Sequence, residues 1–490
     1  MQSEQQYSNL VYEYFLTRIR FRYYKYGDTL PSIDTLCREL SVSSQTMKMA
    51  LKRLRSEGYN DMRNGRSTKV IFQQDQETSN QYILRYFSCR IHCFRDLYQS
   101  VNLIIEPLLL EGLRRADEKD LACLTRLAEV TSMDDVLHLF CFILQKTDNP
   151  LAMNLYWETS IFLGLLFLKH DYKRDLMETD LLRRELKRSI LLAKNKEWDL
   201  LSQQFRAFRR DSIGTVVDHL IQQISPFKGE EHIPFVWRIY RDRPQVCYSL
   251  AAHLLHEIYV GSFRDAVYLP SYEKMAEAYK VSVSTMRRTI RVLNQLGAVR
   301  SINGRGTMVF GIGKPCDSPD FTNPAVRRNL AYFFQSFELL VYSCENVLRH
   351  CLTAATREEK GRLAGQIEQD LANGRQELSL WRCLLFITKC SHLEGIREIY
   401  GRIYSLFLWG YPLRASRESN PDLDAATLHF SNRMLLNLTK GNITGCCEAI
   451  RQLAAVQFPA LEQFLLNQGL TPEDLRLNPS IQLLISEEGT

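Results

Sequence analysis

The sequence has no run of about 18 uncharged apolar residues, the length that a membrane-spanning helix requires. Its most apolar stretch, Ile161–Leu168, is too short to cross a bilayer and is predicted to be part of a buried helix. The N-terminus has no basic segment followed by an apolar core, so no secretory signal is expected. These absences favour a cytoplasmic protein.

The residues that usually build metal, disulfide or catalytic sites are present but scattered. The thirteen cysteines include no Cys-x-x-Cys pair, which favours reduced, buried thiols. The ten histidines are dispersed, and His253 and His256, three apart, are more typical of a half-exposed helix face than of a ligand pair. No glycine-rich phosphate loop follows a predicted strand. We therefore expect no catalytic residues, no metal and no cofactor.

The positive charge is concentrated in two short segments. The net charge of the chain is +6, yet residues 7–72 carry twelve Lys/Arg against six Asp/Glu, and residues 245–311 carry eight against four. The remainder of the chain is therefore negative. Such a distribution is typical of modules that bind a polyanion.

These two segments are copies of each other. The segment that starts at Leu30 aligns without a gap to the segment that starts at Leu269, at a constant offset of 239 positions (269 − 30). Identical residues fall at turn, cap and core positions: Leu30/Leu269, Pro31/Pro270, Ser32/Ser271, Val42/Val281, Ser43/Ser282, Thr46/Thr285, Met47/Met286, Leu54/Leu293, Gly58/Gly297, Asn64/Asn303, Gly65/Gly304 and Arg66/Arg305. The offset is about half the chain, which predicts a tandem duplication.

Each copy has the local signals of a winged helix-turn-helix. A serine caps a short helix, and after a tight break a second serine caps a longer helix with apolar residues at spacings of three and four. A glycine then ends the helix, and an Asn-Gly pair predicts a hairpin turn. The corresponding pairs are Ser32 and Ser271, Ser43 and Ser282, Gly58 and Gly297, and Asn64-Gly65 and Asn303-Gly304.

The rest of the chain has helical periodicity, so the predicted fold class is mainly α, with each winged helix-turn-helix followed by an all-helical bundle of about six helices. Predicted helices are 80–116, 133–145, 151–168, 181–194 and 198–224, then 324–355, 357–371, 376–389, 393–409, 425–438 and 444–466. Ser225–Pro244, with three prolines, is the predicted linker, and Gly311–Pro324 a second joint. The predicted domains are 1–75, 76–228, 229–313 and 314–490.

The second helix of such a motif enters the major groove of DNA with its N-terminal residues leading, and the wing reaches the minor groove. Polar and basic side chains at these positions can donate to bases and phosphates. The predicted DNA-binding residues are Ser32, Ser43, Ser44, Gln45, Thr46, Lys48, Lys52 and Arg66 in the first copy, and Ser271, Ser282, Ser284, Thr285, Arg287, Arg288 and Arg305 in the second. Arg53, Arg55 and Arg291, further along, are predicted phosphate contacts.

The Leu-Pro-Ser start, the Val-Ser pair and the wing sequence Asn303–Thr307 resemble the GntR family of bacterial transcriptional regulators. The all-helical partner domains resemble the fatty-acid-regulator (FadR/FCD-like) branch of that family. The resemblance implies binding of double-stranded DNA, usually as a dimer on a two-fold-symmetric operator. It also implies that the helical domains sense a small-molecule effector or mediate assembly.

The sequence departs from the family pattern at several positions. The family usually has an arginine directly after the Val-Ser pair, where this chain has Ser44 and Val283. The next family arginine is kept as Arg287 but replaced by Lys48, which lacks bidentate geometry. Ser67 replaces the usual wing glycine. Many helical domains of this branch bind a metal through an Asp or Asn and three histidines, and this chain lacks that pattern.

The sequence therefore predicts a single-chain pseudo-dimer that binds an asymmetric operator, a cytoplasmic, nucleoid-associated regulator without enzymatic activity. Further dimerisation stays open, as do the operator, the effector and the sign of regulation. One alternative is a scaffold or architectural protein that kept the fold and lost specific DNA readout. The other is an enzyme with an aminotransferase-like domain, which the helical second half argues against.

Overall fold

The computed structural model describes residues 2–40, 42–62, 67–129, 133–164, 179–224, 232–239, 246–311, 317–413 and 420–477. The chain forms two compact units, one built from Met1–Asp242 and the other chiefly from Arg243–His392 and Ile396–Leu477. Each unit starts with one copy of the repeated segment, called module 1 or module 2. Each module is followed by a helical bundle, called bundle 1 or bundle 2, which confirms the predicted fold class. The four-domain boundaries stay predictions.

Module 1 is a three-helix unit with a small wing. Its elements are α1 (Gln2–Arg20), α2 (Ile33–Glu39), α3 (Ser44–Ser56), β1 (Asn60–Asp61) and β2 (Lys69–Val70). The sequence did not predict α1. The two strands pair antiparallel, with Asn60 opposite Val70, and Thr29 adds an isolated bridge to Lys69. The tip of this wing, with Asn64-Gly65, lies outside the described residues.

Module 2 repeats this order before bundle 2. Its elements, numbered after those of bundle 1, are α12 (Val246–Tyr259), α13 (Tyr272–Ala278), α14 (Val283–Gln295), β3 (Val299–Ile302) and β4 (Gly306–Val309). The strands pair from Val299 opposite Val309 to Ile302 opposite Gly306, so three residues form the hairpin loop. The Asn-Gly signal therefore placed the hairpin correctly, although the expected two-residue turn is wrong.

The cap serines begin the helices where the sequence predicted. The Ser32 and Ser43 hydroxyls accept the backbone N–H groups of Thr35 and Thr46, each at 3.1 Å. In module 2, the Ser282 hydroxyl accepts the N–H of Thr285 at 3.1 Å. A capping side chain satisfies a backbone donor that the first helical turn leaves unpaired. Both copies therefore start their second and third helices by the same chemistry.

Bundle 1 contains more helix breaks than periodicity indicated. Its elements are α4 (Gln76–Ser88), α5 (Ile91–Arg115), α6 (Glu118–Leu127), α7 (Met133–Gln145), α8 (Pro150–Leu163), α9 (Thr179–Lys194), α10 (Trp198–Arg209), the π-turn Arg210–Gly214 and α11 (Thr215–Gln223). The predicted helix 80–116 breaks at Cys89 and Arg90, and 198–224 breaks at the π-turn. The helix predicted over 151–168 ends at Gly164, which has a left-handed backbone (φ +64°).

Bundle 2 matches the predicted helices more closely. Its elements are α15 (Pro324–Ala354), α16 (Arg357–Ala372), α17 (Leu378–Cys390), α18 (Glu394–Phe407), the 3₁₀ turn Leu408–Gly410, α19 (Pro421–Lys440), α20 (Ile443–Asn467) and α21 (Pro472–Leu475). Asn323 and Asn420 cap α15 and α19, and a proline follows each cap. Proline suits this position because the first helical N–H has no helical partner.

Part of the predicted linker is packed rather than free. Residues 232–239, called the strap, lie against bundle 1. The Ile233 N–H donates to the Cys89 carbonyl at 2.9 Å. Trp237 is fully buried, and its indole N–H donates to Asn154 Oδ1 at 2.9 Å. The strap therefore belongs to the first unit, so part of the predicted linker 225–244 is packed against bundle 1.

None of the described helices is both long enough and apolar enough to cross a membrane. In the same part of the chain, no three His, Cys, Asp or Glu side chains converge in a metal-binding arrangement. Of the cysteines the structure describes, ten are buried, and Cys37 and Cys390 are half-buried.

The two helix-ending glycines provide a matched test of the fold. A Cβ atom added to Gly58 (φ +82°) would meet nothing within 4 Å beyond its chain neighbours, whereas a Cβ on Gly297 (φ +78°) would lie 1.9 Å from the Asp317 carbonyl oxygen. Gly58→Ala should therefore cost only the backbone strain, about 1–2 kcal/mol. We expect Gly297→Ala to cost about 1–3 kcal/mol more, because the Asp317 segment must move.

Urea unfolding of the two single variants, followed by circular dichroism, measures this difference. Equal destabilisation of both variants would contradict the close approach of the Asp317 segment to module 2.

Candidate nucleic-acid interface

The third helix of module 2 presents a basic stripe. One face of α14 is buried through Met286, Ile290 and Leu293, each at most 1 % exposed. The opposite face carries side chains at spacings of three, one and three: Ser284, Arg287, Arg288 and Arg291, all exposed. This periodicity places the four side chains on one side of the helix. We call them the module 2 stripe.

Module 1 has a corresponding stripe of different composition. Met47, Leu51 and Leu54 bury one face of α3 completely. The module 1 stripe consists of Gln45, Lys48, Lys52 and Arg55, which are exposed on the other face. Met49 stands where module 2 has Arg288 and is half-buried. Both stripes are cationic, but only module 2 carries adjacent guanidinium groups at the start of its stripe.

The predicted serine and threonine contacts have structural roles as well. Ser32, Ser43, Ser271 and Ser282 are all N-caps, and their side chains are exposed. Ser44 is exposed too, and Thr285 half-buried.

Thr46 differs from these residues because it is 3 % exposed and its hydroxyl lies 2.9 Å from that of Ser43. Its predicted base contact is therefore wrong for this conformation, since the side chain faces the module's interior.

The wing of module 2 has a well-defined tip. Gly304 (φ +73°) and Gly306 (φ +105°) both have positive φ, and Arg305 is exposed between them. Module 1 has Ser67 at the position of Gly306, and a residue with a side chain disfavours the positive φ that Gly306 adopts. The predicted contact Arg66 lies outside the described residues.

Arg53 is engaged within module 1. Its guanidinium donates to Asn9 Oδ1 and Glu57 Oε1, both at 3.1 Å, and its Cζ lies 3.7 Å from the centre of the Tyr12 ring. Burial and the hydrogen bond to Glu57 raise the pKa of Tyr12 to about 12. The same hydrogen bond lowers the pKa of the Glu57 carboxyl. Arg53 therefore has partners within module 1, although its side chain is 49 % exposed, and its phosphate contact stays a prediction.

Arg300 on β3 is similarly occupied in module 2. Its Nε donates to Asp317 at 2.8 Å, and a second N–H group contacts the same carboxylate. These hydrogen bonds hold the pKa of Asp317 below its ordinary value. The Asp320 N–H donates to the Gln295 carbonyl at 2.7 Å. Part of the predicted joint at 311–324 is thus docked on module 2.

Sequence reasoning missed both arrangements. The Arg53–Asn9 and Arg300–Asp317 partners are 44 and 17 positions apart, beyond any helical spacing. The sequence could have indicated one partner of Arg53, because Arg53 and Glu57 have the four-residue spacing of a helical ion pair. It gave no indication of Asn9.

The cations of the two stripes and Arg305 at the wing tip, in contrast, have no acidic partner in the part of the chain that the structure describes. Lys48, Lys52, Arg55, Arg287, Arg288, Arg291 and Arg305 form no ion pair with a described residue. Exposed cations on a rigid helix face, beside a wing with a basic tip, can neutralise phosphates and donate to base edges.

Comparisons with known proteins agree with this geometry. The family model "Bacterial regulatory proteins, gntR family" matches residues 8–70 and 248–309, which span modules 1 and 2. A comparison with curated proteins gives no significant match.

Among solved structures, Streptococcus agalactiae GntR is 17 % identical and covers 44 % of this chain and 99 % of its own, with a TM-score of 0.21. E. coli McbR/YncC is 15 % identical and covers 44 % and 97 %, with a TM-score of 0.24. A Listeria monocytogenes protein, Lar, is 15 % identical and covers 45 % and 96 %, with a TM-score of 0.20.

Because these identities and TM-scores are low, they carry no argument, and the similarity to the gntR family rests on the two matched modules, each of which forms a helix-turn-helix and a wing. The two modules share residues at the cap of the third helix (Ser43 and Ser282), on its buried face (Met47 and Met286) and just after its end (Gly58 and Gly297). The gntR family's domain therefore occurs twice in this chain, once in each module, and these domains support a DNA-binding transcriptional regulator.

Proposed function

We propose that the chain acts as a single-chain pseudo-dimer that reads two non-identical half-sites of one operator. The observation that carries this proposal is the pair of exposed stripes on α3 and α14, which occupy equivalent positions but differ in chemistry. A duplicated chain supplies two readers from one polypeptide. Two-fold operators normally require two subunits for the same purpose.

The stripe residues suggest which half-site each module prefers. Arg287 and Arg288 are suited to the O6 and N7 acceptors of guanine, because a guanidinium donates two parallel hydrogen bonds. Gln45 is suited to adenine, while Lys48 and Lys52 act as point charges on phosphates. We propose that module 2 supplies most of the base discrimination and module 1 more of the sequence-independent affinity.

We further propose that bundle 2 binds a small effector. It contains a cavity of about 140 Å³, lined mainly by apolar and aromatic side chains that include Phe333, Phe337, Trp381, Phe407 and Tyr411. Drug-sized sites usually measure about 300–1,000 Å³. The ligand is therefore a small, mostly apolar molecule.

This cavity adjoins the first helix of module 2. The Tyr411 ring stacks on that of Tyr259 with centroids 3.6 Å apart, and the Tyr404 hydroxyl lies 2.7 Å from His256 Nδ1. Tyr259 and His256 belong to α12, which packs against α14. A ligand that repositions Tyr411 would therefore act on α12, the helix that supports the module 2 stripe. The difference between its affinities for the two conformations sets how much it changes DNA binding.

One observation favours the alternative of an architectural protein. The position directly after the Val-Ser pair is Ser44 in module 1 and Val283 in module 2, so neither stripe begins with the family's arginine. A protein that had lost readout would bind all duplexes alike through phosphates. The family's domains point to a regulator without enzymatic activity, and titrations with operator and scrambled duplexes separate specific from unspecific binding.

Removing a base-reading arginine should reduce discrimination more than total binding. We expect Arg287→Ala to lower affinity for the operator about tenfold while changing affinity for scrambled DNA much less. Lys48→Ala should weaken binding to both duplexes and make the salt dependence shallower by about one unit of slope. Fluorescence anisotropy over a salt series measures both quantities.

Arg362→Ala is the control, because Arg362 is exposed on α16 in bundle 2. If Arg287→Ala weakened binding to operator and scrambled duplexes equally, Arg287 would be a phosphate contact only.

The cap Ser282 separates folding from DNA contact. Aspartate caps helices as well as serine does, so Ser282→Asp should preserve the thermal stability of module 2. Its negative charge at the start of α14 should nevertheless reduce operator affinity by more than tenfold. Ser282→Ala loses the cap, with a cost of about 1 kcal/mol.

Calorimetry and anisotropy on the two variants check this pair. Operator affinity in Ser282→Asp equal to that of the unchanged protein would show that the start of α14 does not approach DNA.

Operator symmetry tests the pseudo-dimer directly. If each module prefers its own half-site, an operator with two identical half-sites should bind more weakly than the natural asymmetric one. Anisotropy titrations with the natural operator and both symmetrised versions measure the difference. Unchanged or tighter binding to either symmetrised version would show that the modules do not read different sequences.

A further inference from the structure

The first unit contains a cleft that the proposed function does not use. It lies where module 1, bundle 1 and the strap meet, and its volume is about 300 Å³. Module 1 contributes one face of α1, including Leu10, Tyr14 and Thr17, and bundle 1 contributes residues of α4 and α8. We call it the strap cleft. Its size lies within the range of small-molecule sites.

The walls of the strap cleft are rich in aromatic rings. Tyr14 of α1 and Trp157 of α8 lie with ring centroids 5.4 Å apart. Phe162 of α8 and Phe235 of the strap pack edge to face, with their ring centroids 5.4 Å apart. Rings in these arrangements form firm apolar surfaces. The cleft therefore suits a ligand with a flat, apolar body.

Two arginines line the same cleft. Arg90 stacks with its Cζ 3.9 Å from the Tyr86 ring centre, and its Nη1 donates to the Tyr86 carbonyl at 2.9 Å. Arg238 of the strap is exposed, and it forms no ion pair or hydrogen bond with any residue that the structure describes.

Two carboxylates also line the cleft, and they neutralise the two arginines only in part. Glu158 is 7 % exposed and already has an interaction partner. Glu13, the other acidic residue of the lining, is exposed to solvent. Both arginines retain N–H groups that can donate to a ligand, so the polar part of the cleft suits an anion.

The strap is held in place beside this cleft. The backbone hydrogen bond at Ile233 and the buried Trp237–Asn154 hydrogen bond flank Pro234, Phe235 and Val236, which line the cleft. Anchors on both sides of the lining residues make the wall preformed. A preformed wall reduces the entropy that binding must overcome.

We propose that the strap cleft binds an amphipathic organic anion, in which an aromatic body lies among Tyr14, Trp157 and Phe235 and a carboxylate or sulfonate is held by Arg90 and Arg238. This site is separate from the effector cavity of bundle 2 and goes beyond the proposed function. Its occupant touches α1, the strap and bundle 1 together, so binding stabilises module 1 against its own bundle.

A pair of dyes tests both parts of the proposal on the full-length protein. 8-Anilinonaphthalene-1-sulfonate combines an aromatic body with one anionic group and fluoresces when it is removed from water. N-Phenyl-1-naphthylamine has the same aromatic body without the sulfonate. We expect Arg90→Gln/Arg238→Gln to weaken binding of the anionic dye about tenfold and binding of the neutral dye much less.

The matched control is Arg126→Gln/Arg206→Gln, which removes two exposed arginines of the same unit outside the cleft lining. Val236→Trp provides a second route, because Val236 lines the cleft but is 40 % exposed, so a larger side chain can fill the cleft without entering the core. We expect this variant to lose the site for both dyes. Circular dichroism verifies that each variant is folded.

Three results would overturn the proposal. They are absence of binding of the anionic dye to the unchanged protein, equal weakening in the cleft and control variants, and unchanged binding in Val236→Trp. Equal losses for the two dyes in Arg90→Gln/Arg238→Gln would overturn the anionic class of ligand. Dye binding is measured without DNA, so a negative result would overturn the strap-cleft proposal and leave the pseudo-dimer proposal unaffected.

Discussion

Burial of one face of α3 and α14 is the constraint on which the rest of the account depends. Met47 and Met286 are both fully buried at equivalent positions, and each fixes the rotation of its helix within the module. With that face committed to the core, the residues between must face solvent. The cationic stripes therefore follow from packing, and so does the loss of Thr46 as a base contact.

Local features were predictable from the sequence because their causes are local. The serine caps, the helix-ending glycines and the hairpin of module 2 involve residues within a few positions of each other, and all appear where the repeat placed them. The family's domains in both copies followed from the same residues. The fold of both modules and most of the stripe residues could thus be derived from the amino-acid sequence alone.

What the sequence did not reveal depends on contacts between distant positions. The residues around Cys89 give no sequence signal for the helix break, after which the Cys89 carbonyl accepts a hydrogen bond from the Ile233 N–H of the strap. The linker sequence likewise gives no signal that Trp237 is buried. The Arg53 guanidinium donates a hydrogen bond to Asn9, which lies on a different helix, α1.

The two units couple their modules to their bundles in different ways. In module 2, aromatic contacts such as that of Tyr259 with Tyr411 lead to a cavity inside bundle 2. In module 1, Tyr14 meets Trp157 at an open cleft that the strap helps to line. The two copies thus share the buried faces of α3 and α14 and differ in the contacts between module and bundle.

The most direct test of the central claim is binding of the full-length protein to its own upstream intergenic DNA and to a scrambled duplex over a salt series. The account predicts that preference for the upstream DNA persists near physiological salt, because base contacts add to the phosphate contacts. Equal affinity for both duplexes, with the same steep salt dependence, would contradict it and leave only counterion-driven binding.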